Sequence, residues 1–506
     1  MSAPPPLGTT PGTEPAEPVA PTRGSLGRQA AHGAVLTIGA QLLKIILQVA
    51  GVVVLARLLS PGDYGLVAMV TALVGVAEIF RDFGLSAAAV QAKHLSRAQR
   101  DNLFWINTAA GAVLAAVVVI AAPLIALLYG RPELVDLARA VSLVFLLNGM
   151  TTQYRADLNR HLRFARIAAI DVIAPVVALA TAIALALAGA GYWALVAQQL
   201  ATSFVLLVGA VACARWIPAL PRRREPMGDL LTFGWHLAGS QFLGYLGNNV
   251  DSLTIGYRFG PTSLGLYNRA FQLLMTPLGQ LRQPTTIVAL PVLSRLKDDR
   301  VGSDRYVQRG QLALGFTLVA GLGLVVGAAG PITSIFLGAR WLEVEPILRL
   351  LAAAGMFQTL AFVGYWVYLS HGLTKQLLQY TVITVTIKVC CILIGSHWGV
   401  LGVAWGYAIA PALAWPLSFW WLSKKSTISV RGLFAGAGKI LVLSAAIGGA
   451  AYGACVLLAA GERWPQLGAA VLAAALVYGA ALLVPSYRRD FRGVLEIARQ
   501  GTARRR

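Results

Sequence analysis

The octapeptide SPGDYGLV at residues 60–67 has a partner two hundred positions later, GPTSLGLY at residues 260–267, with Pro61 over Pro261, Gly65 over Gly265 and Leu66 over Leu266. The same offset sets IGAQLL (38–43) over AGSQFL (238–243), so that Gly39 and Gln41 match Gly239 and Gln241. In each copy an apolar run leads into a proline and glycine turn, and a second apolar run leads out. A single register held across two runs and the turn between them marks an internal repeat.

Outward from these turns the chain is a succession of apolar runs. Hydrophobic residues make up 57% of the 506 positions and charged residues only 12%, against roughly 25% charged in a soluble domain. About fourteen runs, from 33–58 to 466–484, are long enough to cross a bilayer as helices at ~1.5 Å per residue. Six helices separate the two copies of the repeat, so both copies enter the membrane in the same direction, as in a parallel repeat. The expected fold is therefore an all-α integral membrane protein with two six-helix lobes. The N-lobe spans 29–214 and the C-lobe 229–423, joined by a basic linker at 215–228. Two more helices at 424–485 lie outside the repeat, and a basic tail follows at 486–506. Residues 1–28 hold seven prolines and no apolar core of a signal peptide, which predicts a disordered tail.

The 42 Lys and Arg outnumber the 21 Asp and Glu, yet they fall in short clusters rather than in a nucleic-acid-binding stripe. Thirty of the 42 lie in the tails and in alternate gaps between runs, and seven in the gaps between those. The positive-inside rule then puts both termini in the cytoplasm of a multi-pass protein of the inner membrane. Cys213, Cys390, Cys391 and Cys455 all lie in apolar runs without metal-ligand spacing, so neither a disulfide nor a metal is expected. Residues 432–440, GLFAGAGKI, lack the first glycine and the Ser or Thr of a phosphate loop, and neither GxSxG nor HExxH occurs. No gap exceeds about twenty residues, a length too short for a soluble catalytic domain of typical size, so an enzyme is not expected.

Function is sought instead among the charges at membrane depth, each of which costs at least ~2.5 to 3.5 kcal/mol there. Five are basic: Lys44, Arg81, Arg269, Arg282 and Lys388. The acidic ones are Glu78, Asp82, Asp171 and Asp251. Glu78, Arg81 and Asp82 share one turn of a helix face, where Arg81 either meets a ligand at the cavity mouth or reaches out to the headgroups. Asp251 and Arg269 sit at matching depths on either side of Pro261, which permits a salt bridge between them as well as a role in binding or ion coupling. An excess of cations facing one cavity selects an anion, and arginine and lysine bind phosphate best. Gln41, Gln241, Asn248, Asn249 and Gln358 could serve sugar hydroxyls or hydrogen-bond between helices. The Tyr and Trp near helix ends read as an interfacial belt.

The segments ARLLSPGDYGLVAM (56–69), DFGLSAAAVQ (82–91), LGLYNRAFQLLMTPLGQL (264–281), PVLSRLKDD (291–299) and LGVAWGYAIAP (401–411) resemble the Wzx-type polysaccharide flippases of the MOP exporter superfamily. The resemblance runs over about residues 30–485. It implies a fourteen-helix, MATE/MOP-like exporter that flips undecaprenyl-pyrophosphate-linked oligosaccharide outward for lipopolysaccharide or related cell-surface polysaccharide. It further implies a proton or sodium gradient as drive, no cofactor, and a polysaccharide polymerase as downstream machinery. Lys44, Arg81, Arg269, Arg282 and Lys388 then become the lining of a cationic cavity, and Asp251 the coupling acid. A lipid II flippase and a MATE-like small-molecule or cation antiporter are the alternatives. The second should show an acidic excess at depth.

Overall fold

The computed structural model describes residues 23–82, 96–221, 228–296, 299–425, 429–458 and 462–503; the side chains at 23–38, 40, 76, 77, 79–82, 228–244, 246 and 495–503 lie outside that description. Within it the chain is helical throughout, with no strand, and ten helical segments are long and apolar enough to cross a membrane.

The first half holds α1 (Arg23–Leu58), α2 (Pro61–Asp82), α3 (Arg97–Tyr129), α4 (Leu134–Arg160), α5 (Phe164–Leu187) and α6 (Trp193–Ala214). Helix α1 begins at Arg23, so residues 23–28 are helical rather than part of a tail: no proline interrupts the chain from there to Leu58. Helices α7 (228–259) and α8 (261–295) follow, separated by Gly260, whose φ of 81° lies in the left-handed region that glycine tolerates. Helices α9 (Arg300–Leu314), α10 (Ala320–Gly327) and α11 (Ala329–Phe336) form one interrupted segment, and α12 (Val344–Ser370), α13 (Thr374–Gly395) and α14 (Gly399–Lys425) complete the second half. Helices α15 (Val430–Leu457) and α16 (Arg463–Leu483) pack on α10 and α11. Residues 485–503 form a further helix, α17 (Pro485–Ala503), whose Asp490 pairs with Lys439 at 2.7 Å. The expected basic tail is thus ordered from Pro485 to Ala503 and tied to α15.

The two turns of the repeat meet. Helix α2 packs along the α7–α8 hairpin, and a Cβ on Gly65 would strike the Pro261 carbonyl while a Cβ on Gly265 would strike that of Pro61. The two copies of the turn therefore touch reciprocally, which explains why glycine stands at both positions. Close by, the buried Trp341 donates its Nε1–H to the Ala56 carbonyl at 2.8 Å, and Arg57 donates to the Ile335 carbonyl at 2.6 Å. The halves are clamped together at this end of the molecule.

Gly265→Ala should lower the thermal unfolding temperature of the detergent-solubilised protein by the equivalent of about 1–3 kcal/mol, the usual scale of overpacking. Gly279 on the same helix has nothing within 4 Å of where a Cβ would stand, so Gly279→Ala should leave it unchanged or raised. Equal behaviour of the two variants would remove the close junction from the account.

Candidate functional site

Below the junction the halves part around a cavity of two chambers, about 360 Å³ and 290 Å³, which share Gln198, Gln199, Arg269 and Gln272 as lining. The first chamber is bounded by α2, α6, α7 and α8, the second by α1, α5, α6 and α8. Lys44 lines the second, ~21 Å along α1 from its end at Leu58, and Arg269 lines both, ~12 Å along α8 from Pro261. Among the described residues, no Asp or Glu lines either chamber.

Arg269 is only 4% exposed, and among the described residues it makes no ion pair. Its guanidinium carbon sits 3.3 Å from the centroid of the Tyr64 ring, with Nε buried and unpartnered. The salt bridge to Asp251 expected from matching depth does not form. Helix geometry gives the reason: residues two apart on a helix diverge by ~200°, so Tyr267 turns toward Asp251 and Arg269 turns into the cavity. Asp251, 1% exposed, accepts the Tyr267 hydroxyl at 2.7 Å and its neighbour's amide, Ser252 N–H, at 2.9 Å.

The other described acids at depth, Asp171 and Glu78, also have internal partners. Asp171 takes a two-pronged pair from Arg155 at 2.6 and 3.1 Å, and Glu78 accepts from the Asn148 amide at 3.2 Å. Carboxylates are thereby held within one half, and the cavity between the halves is left to cations. The side chains of Arg81 and Asp82 lie outside the described residues, as does that of Gln241.

Arg282 and Lys388 do not join Lys44 and Arg269. Arg282 lines neither chamber, and Lys388 lines a separate cavity of about 460 Å³ among α7, α12, α13 and α14, where it lies 4.8 Å from the Tyr407 ring centroid. Arg282 reaches Gln358, one of its linings, at 3.4 Å, and Gln358 donates to the Tyr407 hydroxyl at 3.3 Å. Asn248 faces this second cavity while the next residue, Asn249, faces the first. Gln41 stands one turn before Lys44 on the same face of α1, though it lines neither chamber.

The charges at depth led to the two cavities, but most of their polar lining escaped notice. Gln48, Gln198, Gln199, Gln272 and Asn268 line the chambers between the halves. The adjacent amides in WALVAQQLATSF (193–204) were the available signal: two amides at mid-helix in an apolar run need partners. Tyr64 was missed because a tyrosine near a helix end resembles a member of the interfacial belt.

A family described as polysaccharide biosynthesis protein matches residues 54–346, more than half of the chain. The teichuronic acid biosynthesis protein TuaB of Bacillus subtilis (strain 168) is 28% identical over 381 residues, 74% of this chain and 79% of that one. The lipopolysaccharide biosynthesis protein WzxC of Escherichia coli (strain K12) is 24% identical over 409 residues, covering 79% and 82%. Among solved structures, the lipid II flippase MurJ in an inward closed conformation superposes with a TM-score of 0.67 at 14% identity, over 88% of this chain and 97% of that one. The chain belongs to the polysaccharide biosynthesis protein family.

Proposed function

We propose that this protein flips undecaprenyl-pyrophosphate-linked oligosaccharide units outward across the cytoplasmic membrane by alternating access between its two halves. The observation that carries the reading is the meeting of Lys44 and Arg269 in one cavity lined by amides and, among the described residues, by no carboxylate. A pyrophosphate is the part of such a substrate that cannot enter hydrocarbon unaided. Two cations with amide donors replace its hydration with charge-assisted hydrogen bonds, which contribute about 1.5–3 kcal/mol each. A cavity for cationic cargo would need the opposite sign, so an antiporter of cationic small molecules is disfavoured.

With both termini cytoplasmic, the clamped end of the molecule faces outward and the cavity is reached from inside. The lipid tail stays in the bilayer while the head group crosses between the halves, which then rock to open the clamped end. Asp251, buried beside Tyr267, is the acid through which a proton or sodium gradient would act. A polymerase on the outer face would consume the product.

A strain lacking the protein should lose surface polysaccharide and accumulate lipid-linked units on the cytoplasmic side. Lys44→Ala at normal membrane levels should restore less than about a tenth of export, as expected when one charge-assisted contact of ~1.5 kcal/mol or more is lost. Persistence of polymer in the deletion strain would overturn the assignment, and accumulation of lipid II instead would redirect it.

A further inference from the structure

The cavity inside the second half has a composition unlike that of the chambers between the halves. It is a slot running along α13 from Leu377 to Lys388, ~16 Å at 1.5 Å per residue. Its inner end is polar, closed by Lys388, Asn248, Gln358 and Tyr407. Its walls are aromatic: Phe362 and Tyr365 stack with centroids 6.0 Å apart, and Tyr368 and Tyr380 stack at 5.7 Å. At about 460 Å³ it lies within the roughly 300–1,000 Å³ of small-ligand sites.

We propose that this slot is a sugar subsite, in which the rings of the oligosaccharide lie against the aromatic walls and their hydroxyls meet the amides and ammonium at the inner end. The inference rests on the flippase reading and deepens it. A pyranose offers an apolar face of C–H groups and an equatorial fringe of hydroxyls, and the slot offers the complement of each. A hydrocarbon tail would have no use for four tyrosine hydroxyls, two amides and a lysine. Helix α7 borders both the slot and the chambers, since Asn248 faces one and Asn249 the other. An oligosaccharide whose pyrophosphate is held by Lys44 and Arg269 would pass an end of α7 to be read in the slot.

Tyr365 is the residue for the test, because it is 41% exposed and its hydroxyl makes no hydrogen bond among the described residues. The purified full-length protein is titrated calorimetrically with farnesyl pyrophosphate and with a panel of farnesyl-pyrophosphoryl hexoses. At least one hexose should raise affinity over the bare pyrophosphate by about two- to tenfold, the range of a single aromatic face contact. Tyr365→Ala should erase that gain and leave farnesyl pyrophosphate binding unchanged, and Tyr365→Trp should keep the gain. Lys44→Ala should weaken every probe alike. A gain that survives both Tyr365→Ala and Phe362→Ala, or no gain with any hexose, overturns the subsite. Failure of every probe to bind the wild type, or indifference to Lys44→Ala, would instead overturn the pyrophosphate reading beneath it.

Discussion

Arg269→Leu will abolish polysaccharide export while leaving the protein as thermostable as the wild type or more so. Both halves of this expectation come from the same contacts. A guanidinium that is 4% exposed has lost nearly all its hydration, and the effective penalty for burying such an ion is several kcal/mol. Its compensation in the structure is one aromatic face, that of Tyr64 at 3.3 Å, which contributes about 2 kcal/mol when desolvated. With no carboxylate partner, removing the charge strands no opposite charge, so the large cost of breaking a buried ion pair does not arise. On the proposed function, the deficit is recovered when a phosphate enters, through contacts of about 1.5–3 kcal/mol. Loss of that term weakens binding by roughly 10- to 150-fold. Arg269→Lys keeps the charge without the two-pronged geometry and should restore part of export. Thermal unfolding and export measured on the same three proteins separate the roles: a large drop in unfolding temperature for Arg269→Leu would make Arg269 a structural residue and sink the binding assignment.

The same contrast explains what could be read from the sequence. Apolar run lengths fixed the helical membrane architecture, because a run of about twenty residues has one stable form in hydrocarbon. The repeat was legible for a steric reason: Pro61, Gly65, Pro261 and Gly265 are held by direct backbone contact, which tolerates few substitutes. Charge at depth located both cavities, since each such residue is too costly to face lipid. Which cavity a cation serves depends on helix rotation, and this was not legible. Lys388 was grouped with Lys44 and Arg269 by depth alone, although α7 stands between its cavity and theirs, and Arg282 was grouped with them although it lines neither chamber. Asp251 and Arg269 likewise agree in depth and diverge in azimuth. A depth is counted along one helix; an azimuth requires knowing which neighbour lies on each side. The wall-forming tyrosines of the slot, Tyr365, Tyr368 and Tyr380, gave no signal of their own, because a tyrosine in an apolar run carries no charge that must be explained.

Trp341→Ala will shift the protein toward the state that is open at the clamped end. Trp341 is fully buried between the halves, with its Nε1–H on the Ala56 carbonyl at 2.8 Å and its ring edge-on to Tyr64 at 5.6 Å. Ala56 and Tyr64 belong to the first half and Trp341 to the second, so these contacts exist only while the halves are closed at that end. Truncating a buried tryptophan costs about 3–5 kcal/mol. If half of that is specific to the closed state, the ratio of open to closed rises by roughly tenfold or more. Arg269 lies over the face of Tyr64, which makes a chain of contacts Arg269, Tyr64, Trp341 running from cavity to clamp. A phosphate drawing Arg269 away from Tyr64 would loosen the same clamp, so the proposed alternating access would couple substrate binding and outward opening through one ring. The measurement is the rate at which a membrane-impermeant maleimide, added outside intact cells, labels a cysteine placed at Gln272 in a chain whose four native cysteines are replaced. Trp341→Ala should raise that rate, Trp341→Phe should raise it less by retaining the ring, and Tyr64→Leu should raise it while removing any further increase on addition of farnesyl pyrophosphate. Labelling that ignores Trp341 would locate the outer gate elsewhere, and labelling that still responds to the pyrophosphate in Tyr64→Leu would break the proposed link between binding and opening.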